Sequence, residues 1–128
     1  MKYIVDSYAW IEYFEGTNEG EKVKNFVENT ENEIITNILN IAELSNYFKR
    51  KNLDFHKPYK ILISFSKIYN FDVNFSKDAG YLCAEIRKEI RSFGLIDAFV
   101  LLTARRINAK IITGDRHFKS FKEAILIR

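Results

Sequence analysis

Four acidic residues stand beside short apolar runs, where an ionised carboxylate is costly unless its charge is compensated. Asp97 lies in "GLIDAFVLLTARR" (94–106), whose apolar residues recur at helical spacing, and Glu43 has apolar neighbours on both sides. Asp6 directly follows "YIV", and Asp115 follows "IIT" across a glycine. If these side chains converge, charges ~4 Å apart repel by about 4 kcal/mol at an effective dielectric of about 20. They would then take up protons unless a cation were bound.

The chemistry that suits such a cluster is that of a hard, oxygen-loving cation. We expect no cysteine or histidine to lie among the four acids, and a site of carboxylates alone favours Mg²⁺ or Mn²⁺ over zinc. Such an ion suits phosphodiester hydrolysis, because it activates a bound water and stabilises the leaving oxygen. Ser7 and Thr113 adjoin the acids and are candidates to orient a water or a carboxylate. Each of these side chains also has an ordinary alternative role as a helix cap, a turn residue or a solvated helix residue.

Bringing distant acids together requires strands that end at one edge of a sheet. Apolar runs predict five short strands, at residues 2–5, 33–36, 71–73, 110–113 and 124–127. Helical spacing predicts helices at about residues 7–15, 21–30, 38–51, 58–69, 77–91 and 95–108. Ser76 or Asp78 is the expected cap of the fifth helix. This alternation predicts one α/β domain over residues 1–128, a three-layer α/β/α sandwich around a mainly parallel sheet of four or five strands. Ligands of such sheets gather at the carboxyl ends of the strands.

Composition fits one compact globular domain, with 128 residues of which 47% are hydrophobic and 29% charged. No apolar run approaches about eighteen residues, and the first residues are too polar for a signal peptide, so we expect a cytoplasmic protein without membrane contact. The single cysteine, Cys83, is expected to be a buried helix residue. The net charge of +3 combines −6 over residues 1–48 (nine acids, three bases) with +9 over residues 49–128 (eight acids, seventeen bases). The basic part is compatible with a polyanionic partner or with solvated helix faces.

The order and context of the four acids resemble the PIN-domain family, and most closely its VapC-type toxins of prokaryotic toxin–antitoxin pairs. The motifs that carry the likeness are "YIVDSYAWIEYFEG" with Asp6, "ILNIAELSNYF" with Glu43, "GLIDAFVLLTAR" with Asp97, and "IITGDRHFKSF" with Asp115. The resemblance spans nearly the whole chain and implies a parallel sheet sandwiched by helices. It also implies that the four acids bind Mg²⁺ or Mn²⁺, with Thr113 at the hydroxyl position of the family.

The same resemblance implies an activity and partners. The implied activity is that of an endoribonuclease that leaves a 5′-phosphate and a free 3′-hydroxyl. The implied partners are a second copy of the chain, in a homodimer, and a small VapB-like antitoxin whose C-terminal segment covers the active site. Arg116 and His117 occupy positions where the family sometimes carries a further acid.

Basic residues outside the motifs are candidates for contacts with RNA phosphates. Arg116 is the strongest of them, because it adjoins an acid of the cluster. Arg87 and Arg91 are expected one helical turn apart, and Arg105 is the fourth candidate. Solvated helix ends and surface ion pairs are the alternative interpretation of all four.

Three other functions stay open at this stage. A metal-free ribonuclease would use His117 as general acid–base, with Arg116 or Lys119 as the cation. A non-catalytic binding module would dock a basic peptide on the acids and a polyanion on the basic part. A PIN-domain nuclease without a toxin role would process RNA.

Overall fold

The structure, a computed structural model, describes all 128 residues and contains one five-stranded sheet with six α-helices. The strands are β1 (Lys2–Val5), β2 (Glu33–Asn37), β3 (Lys67–Tyr69), β4 (Lys110–Thr113) and β5 (Ala124–Leu126). The helices are α1 (Ser7–Glu15), α2 (Asn18–Val27), α3 (Ile38–Arg50), α4 (His56–Phe65), α5 (Val73–Ile86) and α6 (Leu95–Ile107). A 3₁₀ helix follows β4 at Arg116–Phe118. None of the helices is both long and apolar enough to traverse a lipid bilayer.

Every strand pair in the sheet is parallel, and the strand order is β3-β2-β1-β4-β5. The central strand β1 sets the register, since Ile4 is opposite Ile35 of β2 and opposite Ile111 of β4. The carboxyl ends of β1, β2 and β4 therefore lie at the same edge. The predicted parallel sheet of four or five strands is confirmed.

Helices cover both faces of the sheet, so neighbouring residues of a strand are buried in different layers. Ile4 packs on the side of α5 and α6, with Leu101 among its neighbours. The next residue, Val5, packs on the side of α1 to α4, with Trp10 and Leu44. Burial on both faces explains why the strands read as continuous apolar runs, and the three-layer sandwich is confirmed.

The predicted boundaries are correct for β1 and β4, three residues too late for α2, and wrong between α4 and α5. The predicted strand at 71–73 is wrong, because β3 lies at Lys67–Tyr69. Ser66 ends α4 before that strand: its hydroxyl donates to the Leu62 carbonyl (2.8 Å) and accepts from the Thr36 hydroxyl (2.9 Å). The chain is then extended, which leaves residues 67–69 to pair with β2. The predicted helix at 58–69 is therefore too long at its C-terminal end.

Helix α5 also differs from its prediction of 77–91, since it begins at Val73 and ends at Ile86. Neither Ser76 nor Asp78 is its N-cap. That position belongs to Asp72, whose Oδ1 accepts a hydrogen bond from the Phe75 N–H at 2.9 Å. The early end leaves a turn-rich segment before α6. Cys83 is buried in α5, as predicted.

The close crossing of α1 and α2 depends on Gly20, which generates a test of the packing. A Cβ atom at this position would lie 2.1 Å from the Glu12 carbonyl oxygen, and backbone cannot give way as a flexible side chain can. We expect Gly20→Ala to destabilise the fold by about 1–3 kcal/mol or more. A Cβ atom at Gly80, in α5, meets nothing within 4 Å, so Gly80→Ala is expected to stabilise by about 0.5–1 kcal/mol. Urea unfolding measures both variants, and equal effects would contradict the crossing geometry.

Candidate active site

Asp6 lies at the carboxyl end of the central strand and is almost fully buried, with 5% of its surface exposed. It is the N-cap of α1, and its Oδ1 accepts a hydrogen bond from the Ala9 N–H at 2.9 Å. The Thr113 hydroxyl, at the end of β4, also donates toward the Asp6 carboxylate. The helix-cap role considered from the sequence is therefore real. It fixes the carboxylate at the strand edge without exposing it to water.

Asp115 follows β4 at the same edge and begins the 3₁₀ helix. Its Oδ1 accepts from the His117 N–H at 2.9 Å, and its own N–H donates to the Thr113 Oγ1 at 3.0 Å. The Thr113 side chain thus contacts both strand-end acids. The structure thus places Thr113 beside the acids, as its position in the sequence predicts.

Asp97 and Glu43 reach this edge from helices. Asp97 lies in the first turn of α6, half-buried, and its Oδ2 accepts from the Gly94 N–H at 3.4 Å. Glu43, in α3, is held by two hydrogen bonds to Oε1, from the Ser7 Oγ and from the Asn40 Nδ2, each at 2.8 Å. Ser7 thus orients the carboxylate of Glu43, which is one of the two roles that the sequence suggests for it.

The electrostatics of the site show that the acids sense one another. Burial raises the pKa of Asp6 to about 7; hydrogen bonds from Thr113 and Ala9 oppose this rise, and the charges of Asp97 and Asp115 add to it. Burial also raises the pKa of Asp97 to about 6, and the charges of Asp115 and Glu43 raise it further. Without a cation, Asp6 is therefore about half protonated near neutral pH and Asp97 takes up a proton about one pH unit lower, which is the behaviour expected of buried, converging carboxylates.

A histidine completes the group, and this corrects the inference from sequence. One side-chain donor atom each from Asp97, Asp115 and His117 lies within 4.8 Å of the other two, an arrangement that can hold a metal ion. The expectation that no histidine lies among the acids is wrong, because the 3₁₀ turn folds His117 back onto Asp115, with Nδ1 at 3.2 Å from Oδ1. Asp115 and His117 are two residues apart in "GDRH", and this spacing predicts their contact only if a tight turn is expected after Asp115.

Asn40 is a second residue that the sequence interpretation missed. It is 1% exposed and donates to Glu43, while its own Oδ1 has no hydrogen-bond partner. Its position three residues before Glu43 places both on one face of α3. The sequence signal for Asn40 is that a polar residue lies three positions before a predicted functional acid in a predicted helix.

The four arginine candidates fall in different places. Arg116 is exposed in the 3₁₀ helix, next to His117, and Arg91 is exposed in the segment before α6. Because α5 ends at Ile86, Arg87 and Arg91 do not share a helix turn, and Arg87 instead donates from Nε to the Phe93 carbonyl at 2.6 Å.

The structure does not bring Arg105 to the acids. Its Nε lies 3.2 Å from the Glu123 Oε2, and its side chain lines a cavity with Met1 and Lys110, at the amino ends of β1 and β4. Arg105 is thus at the edge of the sheet opposite to the four carboxylates.

Comparison with known proteins supports the architecture. A family model described as the PIN domain matches residues 3–124. The sequence matches none of the curated proteins. Among solved structures, the chain is similar to a toxin–antitoxin complex from Klebsiella pneumoniae, with 18% identity, 98% of each chain covered and a TM-score of 0.72.

Two further solved structures have the same architecture. VapBC2 from Rickettsia felis, bound to a DNA fragment from its promoter, has 20% identity, with 98% of this chain and 97% of that chain covered and a TM-score of 0.72. VapC20 of Mycobacterium tuberculosis, described as a sarcin-ricin loop cleaving toxin, has 14% identity, with 94% and 95% covered and a TM-score of 0.75. At these identities the likeness to solved structures establishes the fold.

The raised pKa of Asp6 generates a pH test. The folded pKa of about 7 exceeds the ordinary value of 3.8, so the folded state binds the proton more tightly than the unfolded state does. In EDTA, this contribution to stability is complete below about pH 4 and is lost as the pH rises to about 7. Asp6→Asn stays neutral and can keep the bond from Ala9. We therefore expect its stability, relative to wild type, to rise by about 3 kcal/mol between pH 5 and pH 8.

The measurement is urea unfolding of both proteins at each pH. Asp78→Asn, in an exposed pair with Arg106, is the matched control and is expected to show no such rise. A constant difference between Asp6→Asn and wild type would contradict the burial of an ionisable Asp6.

Proposed function

The chain belongs to the PIN domain family, and from that premise we propose that it is a Mg²⁺- or Mn²⁺-dependent endoribonuclease. The observation that carries the proposal is the meeting of Asp6, Glu43, Asp97 and Asp115 at one edge of the sheet, with the pKa of two of them raised by burial and by the other acids. Structural pairing with arginine or lysine, the ordinary explanation of clustered acids, is absent: the four carboxylates form no ion pair with a lysine or an arginine.

The residues present fit a hard divalent cation, since carboxylate oxygens are the ligands that Mg²⁺ and Mn²⁺ prefer. Asp6, Asp97 and Asp115 are the proposed ligands, with Glu43 at their side. When bound, the ion supplies an activated water and charge stabilisation at the leaving oxygen. Thr113 keeps Asp6 and Asp115 in place. Both hydrogen bonds to Glu43 go to Oε1, so its Oε2 is available to orient a water or to accept a proton.

Hydrolysis by water is the chemistry that we propose for this site, because the two hydroxyls at the acids, those of Ser7 and Thr113, are engaged in hydrogen bonds with them. The one cysteine is buried in α5 and its sulfur lies 3.9 Å from the Phe93 carbonyl oxygen. Ser7 donates its hydroxyl proton to Glu43 and is proposed to hold that carboxylate. No covalent intermediate on the protein is required.

We propose RNA as the substrate, with basic side chains of the site rim holding its phosphates. His117 contacts Ser92 at the rim of the site. Arg116 precedes His117 and Arg91 precedes Ser92 in the sequence, and both arginines are exposed. Similarity to the fold of a toxin that cleaves the sarcin-ricin loop supports the choice of RNA. We also propose that the protein acts in the cytoplasm, where RNA substrates are found.

We further propose that the protein is the toxin of a toxin–antitoxin pair, on the basis of its similarity to structures of such complexes. The cluster of four carboxylates suits inhibition by a basic side chain, since a cation from a partner would occupy the position of the metal ion. The partner would be a small VapB-like antitoxin whose C-terminal segment covers the acids. A homodimer is the proposed assembly of the toxin itself.

Replacement of one acid tests the proposed activity. Asp97→Asn removes a charge and a ligand while keeping the shape of the side chain, so we expect Mg²⁺-dependent cleavage of single-stranded RNA to fall by at least about 100-fold. Growth arrest on expression is expected for wild type and not for this variant. The control is Asp78→Asn, which should keep full activity. Asp78 lies in α5 and pairs with Arg106 in the last turn of α6, away from the acids.

Two results would contradict the proposal. Cleavage that persists in EDTA and yields 2′,3′-cyclic phosphates would favour the metal-free mechanism with His117. Unchanged metal binding and unchanged RNA decay in Asp97→Asn would favour a non-catalytic binding module.

A pair of arginines tests where RNA binds. In an Asp97→Asn background without divalent ions, we expect Arg116→Ala to weaken binding of a fluorescent single-stranded RNA and to lower the slope of log affinity against log salt by roughly 0.7. Arg105→Ala is the matched control, because Arg105 is bound to Glu123 at the opposite edge. Anisotropy titrations over a KCl series measure both. An effect of Arg105→Ala as large as that of Arg116→Ala would overturn the assignment of the rim.

A further inference from the structure

Both ring nitrogens of His117 have neighbours that suit a metal ligand. Its Nδ1 lies 3.2 Å from the Asp115 Oδ1, and a donor atom of Asp97 lies within 4.8 Å of both residues' donor atoms. Two donors that occupy neighbouring positions of one octahedral ion, each at about 2.1 Å, stand about 3 Å apart. The separation of Nδ1 and Oδ1 therefore matches two ligands of a shared ion.

The opposite ring nitrogen is held by a residue outside the acidic cluster. The His117 Nε2 lies 2.8 Å from the Ser92 Oγ, in the segment between α5 and α6. A histidine that binds a metal ion through one nitrogen almost always donates its other N–H to a fixed acceptor. A serine hydroxyl can accept or donate by rotation, so Ser92 can hold the ring both with and without an ion.

We propose that His117 is a direct ligand of the divalent ion through Nδ1, with Asp97 and Asp115, and that it makes the site prefer Co²⁺ and Mn²⁺ to Mg²⁺. The inference rests on the proposed metal-dependent function and specifies the donor set of that same site. Imidazole nitrogen favours transition metals, whereas Mg²⁺ favours oxygen ligands and keeps its waters. Ser92 is then a positioning residue, which acts only through the ring of His117.

A different role would have the opposite consequence. If protonated His117 served only as the charge partner of Asp115, it would compete with any divalent ion. Its removal would then strengthen the binding of Mg²⁺, Mn²⁺ and Co²⁺ alike. A ligand, in contrast, loses affinity selectively for the ions that favour nitrogen.

The experiment compares His117→Gln with His56→Gln, since His56 is exposed at the start of α4 and is the only other histidine. Calorimetry measures the affinity of each protein for Mg²⁺, Mn²⁺ and Co²⁺. We expect His117→Gln to lower the affinity for Co²⁺ by about tenfold or more and that for Mg²⁺ by less than about threefold. His56→Gln should match wild type for all three ions. Ser92→Ala should lower the affinity for Co²⁺ by a smaller factor.

Proton NMR of the Co²⁺-loaded protein gives a second measurement that does not depend on the folding of the His117 variant. A histidine bound through Nδ1 keeps a proton on Nε2, and this exchangeable proton is strongly shifted by the paramagnetic ion. We expect one such resonance in wild type and in His56→Gln. Its absence from wild type, or unchanged Co²⁺ affinity in His117→Gln, would overturn the inference.

The outcomes separate this inference from the function on which it rests. Co²⁺ binding that survives His117→Gln and is lost in Asp97→Asn would overturn the role of His117 alone. A wild-type protein that binds none of the three ions would overturn both the role of His117 and the metal-dependent function.

Discussion

The burial of carboxylates that the fold holds together at one edge of a sheet is the constraint on which the rest of the structure depends, since burial is the main cause of the raised pKa of Asp6 and of Asp97. Asp6 is almost fully buried at the end of β1, and the charges of Asp97 and Asp115 add to the cost of its ionisation. A protein ordinarily relieves such a cost with an arginine or a lysine. Here no lysine or arginine forms an ion pair with the four acids, and His117 pairs with Asp115 alone. The relief for Asp6 has to come from protons or from a bound cation.

The architecture positions this edge with few devices. Parallel pairing of β1, β2 and β4 makes their carboxyl ends coincide, and the caps of the elements that follow use the same residues that carry the charge. Asp6 caps α1 and Asp115 caps the 3₁₀ helix. Thr113 contacts both, so a single hydroxyl couples two strand ends. The site is thus built by secondary-structure ends, with the chain needing no long active-site loop.

The sequence predicts the parts of this arrangement that depend on local pattern. β1 and β4 are continuous apolar runs because they are buried on both faces, and the acids that follow them are found from that alone. The interval from residue 66 to 73 is predicted wrongly, because β3 is fixed by its pairing with the distant strand β2, and the Ser66 hydroxyl by a hydrogen bond from the distant Thr36. The place of His117 depends on the turn after Asp115, which brings its Nδ1 to 3.2 Å from the Asp115 Oδ1. Contacts between residues far apart in sequence, or set by one tight turn, leave no periodic signal.

Anomalous scattering from a crystal grown with Mn²⁺ at pH 8 tests the convergence of the acids on one ion most directly. At this pH the carboxylates of Asp6 and Asp97, with pKa values of about 7 and about 6, are ionised and need a counter-ion. We expect an anomalous peak at coordinating distance from oxygens of Asp6, Asp97 and Asp115. A map in which Mn²⁺ binds elsewhere, or in which these oxygens contact only water, would contradict the claim that a divalent cation holds the four acids together.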